Sequence, residues 1–138
     1  MSQIVTAQWL QDYTFVGKTE SYKSVIMDAP IIAGGEKVAP SPMEMVLFGL
    51  IGCAGIDVKL ILTKSKKDIS SLEVIATAKR RDEFPRIFTD IHLHFKVSGS
   101  NIDGKSVGRA VKLSAEKYCS VSAMLDKTVN ITHDFEII

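Results

Sequence analysis

Residues 41–64 read SPMEMVLFGLIGCAGIDVKLILTK, and this stretch decides the fold. Ser41 precedes a proline and Glu44 follows it by three positions, which is the pattern of a helix start with a capping box. The residues from 46 to 62 are apolar on nearly every side, and lysines at 64, 66 and 67 complement the dipole at the C-terminal end. Because a helix without a polar face is normally buried, we expect a long helix through the middle of the protein.

Alternating apolar and polar side chains on both sides of this helix predict β-strands. The predicted strands are 4–10, 22–27, 72–79, 90–97 and 129–137, with Gly17 between the first two. Helical spacing predicts a second helix over 106–118 and a short helical turn over 120–125. The charged segment 80–86 is expected at the end of a hairpin, and paired glycines predict a turning loop over 29–36. We therefore expect an α+β fold of antiparallel strands gathered at the ends of the chain around a buried helix.

Length and composition exclude several classes of protein. The chain has 138 residues, of which 46% are hydrophobic, so residues 1–138 are expected to form a single domain with one core. The formal net charge is +1 with no basic excess, which argues against a nucleic-acid partner. The longest uncharged apolar run, 45–56, has 12 residues where a membrane span needs about 20, so no membrane partner is expected. The N-terminus lacks a signal-peptide pattern, which predicts a cytoplasmic protein.

The two cysteines are the first candidates for chemistry. Cys53 lies among three helix glycines, and a glycine inside a helix costs about 1 kcal/mol relative to alanine. Close approach of a backbone or a ligand would explain them, and a groove beside Gly49 is one interpretation; a small core residue with helix packing is the other. Cys119 precedes a predicted helix start capped by Ser120, where backbone N–H groups favour a thiolate. Its alternative is again a buried small hydrophobe.

Together the thiols suggest a redox pair. One cysteine attacks an oxidant and becomes a sulfenic acid, and the other condenses with it to a disulfide. The sequence separates them by 66 positions, and bridging requires Cα atoms within about 7 Å. A permanent disulfide is not expected in a reducing cytosol.

Charges near Cys53 limit its activation. Asp57, one helical turn later, opposes a second negative charge on the same face. An outside cation is therefore needed, and the arginines at 80, 81, 86 and 109 are the candidates, the hairpin 80–86 being the densest cluster. Glu44 precedes Cys53 by nine residues, which places it on the opposite helix face about 13 Å away along the axis. A capping role is favoured for Glu44 over a catalytic one.

The histidines give weaker signals. His92 and His94 share one strand face at a spacing that a metal ion could use, but no second metal-binding motif accompanies them, and solvated polar positions are the favoured interpretation. His133 falls on the apolar side of its strand and is expected to be a core histidine. The chain contains no phosphate loop, nucleophile elbow or dinucleotide fingerprint, so no cofactor and no metal are expected.

Three segments carry a resemblance to a known family. The segment 41–45 with Gly52-Cys53, the segment 118–125 around Cys119, and the segment 81–89 resemble the OsmC/organic hydroperoxide resistance superfamily, and more closely its YhfA-like branch of small redox proteins. The likeness covers essentially the whole chain. It implies an intertwined α+β homodimer with antiparallel sheets around long buried central helices and two sites at the interface.

The resemblance also implies an activity. Family members reduce organic or hydrogen peroxides with a peroxidatic cysteine, which matches Cys53, and a resolving cysteine, which matches Cys119. A small hydroperoxide substrate and a dithiol reductant are implied, and flavin, haem and metal are not required. The alternatives are a non-enzymatic dimer that binds a small hydrophobic ligand or senses redox state, and a structural dimer with inert thiols.

The chain departs from the family pattern at the residues that activate the thiol. The position of the family's catalytic glutamate holds Met43, and the acid stands one place later at Glu44. The family's activating arginine comes from the N-terminal strands, whereas the first arginine here is Arg80. Ser120 follows the second cysteine where proline is frequent. We therefore take Cys53, Cys119, Glu44 and Arg86 as candidate catalytic residues, with the 80–86 hairpin as the replacement source of positive charge.

Overall fold

The structure is a computed structural model that describes residues 2–29 and 38–138. Its chain has two compact units, Met1–Phe48 and Gly49–Ile138, so the single-domain interpretation stays a prediction. The strands are β1 (Val5–Gln11), β2 (Thr14–Thr19), β3 (Ser24–Met27), β4 (Asp68–Arg80), β5 (Phe88–Ser100) and β6 (Asn130–Ile137). The helices are α1 (Pro42–Lys64), α2 (Gly104–Leu113), a π-helical turn (Ser114–Tyr118) and α3 (Ser120–Leu125). The α+β class is confirmed.

The first unit contains a three-stranded antiparallel sheet in the order β1-β2-β3. Strand β2 was not predicted, because Gly17 and the polar residues around it resemble a connection. Gly17 instead lies inside β2, where a Cβ atom would stand 3.3 Å from Cγ2 of Val25. The glycine thus fits a crowded place in the sheet rather than a turn. Most of the predicted loop 29–36, including Gly34 and Gly35, lies outside the described residues.

Helix α1 begins at the predicted capping box. The Ser41 amide donates to Oε1 of Glu44 over 3.0 Å, and the Glu44 amide donates to Oγ of Ser41 over 3.2 Å. Four residues of the helix are fully buried, at one-turn intervals along a single face: Leu50, Ala54, Val58 and Leu62.

Large apolar side chains on other faces of α1 are exposed. Phe48, Ile56 and Leu60 are 51%, 69% and 50% exposed. The expected burial on every side is therefore wrong for the single chain. An 18-residue window of α1 has a mean hydropathy of 2.1 and is 22% buried, so by length and composition this helix could cross a membrane. Core helices of soluble proteins have the same properties, and the absence of a membrane partner stays a prediction.

The second unit contains a sheet in the order β4-β5-β6. Strands β4 and β5 form a long antiparallel hairpin, whereas β6 pairs with β5 in parallel. The prediction of antiparallel pairing is wrong for this last pair, because α2 and α3 carry the chain back across the sheet before β6 begins. The buried side chains of β5 form the core face of the sheet: Phe88, Ile91, Leu93, Phe95 and Val97.

The chain between the sheet strands places Cys119. Helix α2 begins with a capping box in which Asp103 accepts the Ser106 amide over 2.7 Å. The predicted second helix continues to Tyr118, but its last five residues form a π-helical turn that ends when the Cys119 amide donates to the Ser114 carbonyl over 2.8 Å. Such turns are wider than an α-helical turn and shift the residues that follow. Cys119 thus stands at the junction with α3.

Candidate active site: two thiols and a carboxylate

Cys53, Asp57 and Cys119 come together in the second unit. Cys53 and Asp57 are four residues apart on α1 and therefore share one helix face. The two sulfur atoms and a carboxylate oxygen of Asp57 all lie within 4.8 Å of one another. Cys53 is half-buried, Cys119 is buried, and both are free thiols. The fold thus makes neighbours of two cysteines that are 66 positions apart in the sequence.

Cys119 is itself the N-cap of α3. Its sulfur accepts a hydrogen bond from the Ser122 amide over 3.4 Å. The residue as a whole is 3% exposed. The expected cap, Ser120, is instead the first residue of the helix. Burial raises the pKa of the Cys119 thiol above its ordinary value, and it outweighs the hydrogen bonds from Ser122, which act in the opposite direction. The helix amide at Ser122 acts in the predicted direction, but the expected net preference for a thiolate is wrong because desolvation is the larger effect.

Asp57 is held in place by a buried serine. Oγ of Ser114 donates to Oδ2 of Asp57 over 3.0 Å, and Ser114 is 1% exposed. From the sequence, Asp57 is only an obstacle to ionisation of Cys53, and no role is predicted for Ser114. The available signal was that Ser114 continues the apolar spacing of α2, since a hydroxyl on a buried face needs a partner.

An open cleft lies next to the thiol pair, and Asp57 belongs to both the cleft lining and the thiol cluster. Its volume is about 410 Å³, and both charged and apolar side chains line it. The lining residues are Asp57, Leu60, Ile61, Lys64, Ser65, Arg109, Leu113 and Tyr118. Arg109 is the arginine that the structure places in this cleft, and Tyr118 is the residue next to Cys119. A ligand in the cleft therefore meets both a cation and the carboxylate that lies within 4.8 Å of the two sulfurs.

The arginine side chains of the 80–86 hairpin contact other groups of the same hairpin. Nε of Arg80 donates to the Arg86 carbonyl over 2.7 Å, and the Arg86 guanidinium lies 4.5 Å from the centre of the Phe84 ring. Val74, the β4 residue nearest to a Cβ atom placed on Gly55, is six residues from Arg80. That separation is about 20 Å along a strand, so the structure does not bring Arg86 to Cys53 within one chain.

Two helix glycines near Cys53 lack the close contact that was expected. Among the described residues, none comes within 4 Å of a Cβ atom placed on Gly49 or Gly52, whereas Gly55 faces Cγ2 of Val74 at 3.4 Å. Only Gly55 is explained by packing inside the chain. Gly49 and Gly52 are exposed.

The histidines form a separate polar network on the exposed face of the second sheet. Nε2 of His92 lies 2.9 Å from Oδ1 of Asp134, and Nδ1 of His94 lies 2.6 Å from the same oxygen. Nε2 of His94 is 3.2 Å from Oε1 of Glu136. The interpretation of His92 and His94 as solvated polar residues agrees with this placement. His133 is exposed, so its assignment to the core is wrong.

This network gives a pH prediction. Hydrogen bonds to Asp134 and then Glu136 raise the pKa of His94 above 6.5, and His94 holds the pKa of Asp134 below 3.8. The contribution of His94 to folding stability is fully present below pH 6.5 and is lost as the pH rises through its raised pKa. The contribution of Asp134 to folding stability is lost as the pH falls through its lowered pKa. We expect NMR titration to place the His94 midpoint above 6.5 and Asp134→Asn to move it down. An unchanged midpoint in that variant would contradict the pairing, and Asp126→Asn serves as the control.

Comparison with known proteins decides the family. The model of the family of OsmC-like proteins matches residues 34–134. The chain belongs to the OsmC-like family. Protein YhfA of Escherichia coli strain K12 is 50% identical over 131 residues, which cover 95% of each chain. The resemblance noted in the sequence is thereby confirmed at the level of the family and of YhfA.

Solved structures of OsmC-like proteins share the fold. One structure at 45% identity superposes with a TM-score of 0.87 and covers 98% of both chains. An organic hydroperoxide resistance protein OsmC from Legionella pneumophila has a TM-score of 0.72 at 14% identity and covers 99% of this chain and 97% of its own. At that identity the likeness concerns the fold alone. The OsmC/organic hydroperoxide resistance family includes redox and peroxide-resistance proteins, and this chain shares its architecture.

Proposed function

We propose that this OsmC-like protein is a two-cysteine thiol peroxidase that reduces organic hydroperoxides or hydrogen peroxide. The observation that carries the proposal is the approach of the Cys53 and Cys119 sulfurs to within 4.8 Å. An S–S bond is about 2.05 Å long, so disulfide formation needs only a local displacement of one side chain or of the turn before α3. A purely structural role for the two thiols would not require their sulfur atoms to be this close.

The different exposure of the two thiols supports different roles for them. Cys53 is half-buried and is therefore the thiol that a peroxide can reach, whereas Cys119 is buried. Burial raises the pKa of Cys119, which disfavours it as the attacking group. Cys53 is thus the peroxidatic cysteine and Cys119 the resolving one.

The chemistry balances with a dithiol as the reductant. The Cys53 thiolate attacks one peroxide oxygen, the O–O bond breaks, and the leaving alkoxide takes a proton to become an alcohol or water. The Cys53 sulfenic acid then condenses with the Cys119 thiol, so that an S–S bond forms and water leaves. A dithiol returns two electrons and two protons by thiol–disulfide exchange and becomes a disulfide itself.

Arg109 replaces the hairpin as the source of positive charge in this proposal. A carboxylate oxygen of Asp57 lies within 4.8 Å of both sulfurs, so a cation near Asp57 offsets the negative charge beside the thiols. Arg109 lines the cleft together with Asp57, whereas the side chain of Arg86 stacks on its own hairpin. Glu44 forms the cap of α1, and we assign it that role rather than proton transfer.

Oxidation of the purified, reduced protein tests the proposal. Substoichiometric hydrogen peroxide or tert-butyl hydroperoxide is followed by alkylation and mass spectrometry. We expect loss of both alkylation sites, a peptide linked through Cys53 and Cys119, and turnover when a dithiol such as dihydrolipoamide is added. Two thiols that remain alkylatable after peroxide would refute the proposal and favour the ligand-binding alternative, for which the apolar part of the 410 Å³ cleft is the candidate site.

We further propose that the working unit is a cytoplasmic homodimer. One side of α1 exposes Phe48, Ile56 and Leu60, and Gly52 on the same uncovered helix permits close approach of a second helix. Two free cysteines suit a reducing compartment.

A further inference from the structure

We propose that the reduced protein binds one Zn²⁺ ion through Cys53, Asp57 and Cys119. Two sulfurs and one carboxylate oxygen from separate parts of the chain lie within 4.8 Å of one another. Thiolates and carboxylates are ordinary zinc ligands, and three protein ligands with one open position are typical of accessible zinc sites. The inference concerns the reduced state and does not depend on peroxidase activity.

The spacing of the donor atoms fits the ion. With Zn–S bonds of about 2.3 Å and a Zn–O bond of about 2.0–2.2 Å, tetrahedral geometry places the ligand atoms about 3.5–3.8 Å apart. The three donor atoms lie within 4.8 Å of one another, so small side-chain rotations bring them to this spacing. Cys53 and Asp57 are one helical turn apart, which directs both side chains to one metal position.

Hydrogen bonds orient two of the three ligands. The Ser114 hydroxyl donates to Oδ2 of Asp57, and the Ser122 amide donates to Sγ of Cys119. Such outer partners fix ligand geometry in metal sites and stabilise a charged sulfur. Both donors are buried serines, so water competes little for these bonds.

Charge also favours a cation at this place. Two thiolates and a carboxylate repel one another when they are close together, and Zn²⁺ neutralises two of the three negative charges. Lys64 and Arg109 line the adjoining cleft with Asp57 and complement the remaining charge. The carboxylate that hinders the thiolate of a peroxidase is thus an asset in a metal site.

The histidine network on the second sheet is the competing location. His92 and His94 offer imidazole ligands, but each of their ring nitrogens already lies within 3.2 Å of an oxygen of Thr132, Asp134 or Glu136. This network has no sulfur ligand. A spectroscopic probe that detects sulfur therefore separates the two locations.

Metal binding and disulfide formation exclude each other, because both use the same two sulfurs. When a peroxide oxidises the metal-bound pair, the two thiolates lose two electrons and form an S–S bond. The O–O bond breaks, two protons from solvent complete an alcohol and water, and Zn²⁺ is released. This consequence rests on the proposed function, whereas the binding itself does not.

Cobalt substitution tests the site in the absence of peroxide. Metal-free, reduced full-length protein is titrated with Co²⁺, and Zn²⁺ is then added to displace it. We expect one Co²⁺ per chain, sulfur-to-cobalt charge-transfer absorption, and loss of that absorption in Cys53→Ser and in Cys119→Ser. Asp57→Asn is expected to weaken binding at least about tenfold, since even outer partners of a ligand contribute that much.

Controls separate the outcomes. Asp126→Asn, which changes an exposed carboxylate, and the double variant His92→Ala/His94→Ala are expected to bind as the wild type does. Cobalt absorption without sulfur bands, or binding lost only in the double histidine variant, would overturn the proposal. A measurement on the wild-type protein avoids any effect of a substitution on folding. Zn²⁺ is expected to protect both thiols from alkylation until a chelator is added. Equal alkylation with and without Zn²⁺ would also overturn the proposal.

Discussion

Cys53→Ser is expected to reduce dithiol-dependent peroxide consumption to the uncatalysed rate, a loss on the order of 10³-fold or more. A serine hydroxyl is almost fully protonated at neutral pH and is a far weaker nucleophile than a thiol. Cys119, the other cysteine, is a poor substitute as the attacking group, because it is buried and burial raises its pKa. The measurement is the initial rate of peroxide loss at saturating dithiol.

Cys119→Ser is the matched control, since it removes the other thiol from the same cluster. Its single-turnover oxidation by peroxide is expected to persist, and the product is a Cys53 sulfenic acid that dimedone traps instead of a disulfide. If Cys53→Ser retained the first oxidation and Cys119→Ser lost it, the assignment of roles would be reversed. If both variants consumed peroxide as the wild type does, the chemistry would lie elsewhere.

Ile56→Asp is expected to convert a dimer of this protein into monomers. Ile56 is 69% exposed in the chain and lies on the uncovered apolar side of α1, so a partner helix would bury it. A carboxylate in such an interface is separated from water without a partner, which costs several kcal/mol. Light scattering after size exclusion is expected to give about twice the chain mass for the wild type and about the chain mass for the variant.

The variant should still fold, because Ile56 has little contact with its own chain. Lys112→Asp on α2 places the same charge on another exposed helix position and is expected to leave the mass unchanged. A wild-type protein that is monomeric at micromolar concentration would contradict the dimer. An Ile56→Asp protein that stays dimeric would place the interface on another surface.

Local sequence signals predicted most of the secondary structure. The capping box at Ser41 and Glu44 located the start of α1, and alternation located β4, β5 and β6. These signals succeed because hydrogen bonds across three residues and a period of two need no distant partner. Strand β2 was not predicted from its local pattern. The glycine at position 17 is explained by the nearby side chain of Val25 on the next strand, which no local pattern shows.

The candidate site could be predicted only in part. The motifs around Cys53 and Cys119 indicated the family and the two thiols. They could not indicate that Ser114 bonds to Asp57, or that Arg86 remains at its own end of the hairpin while Arg109 lines the cleft. The bond between Ser114 and Asp57, and the cleft that Arg109 shares with Asp57, bring together residues tens of positions apart.

By itself, the sequence of this OsmC-like protein determined the start of α1, most of its strands and the identity of its two thiols, because each depends on residues that are close together in the chain. Only the tertiary structure decided that the sulfurs are neighbours, that β6 runs parallel to β5, and that burial raises the pKa of Cys119 against the pull of the helix amides. Proximity, strand direction and desolvation depend on which distant segments pack together, and no local pattern specifies that packing.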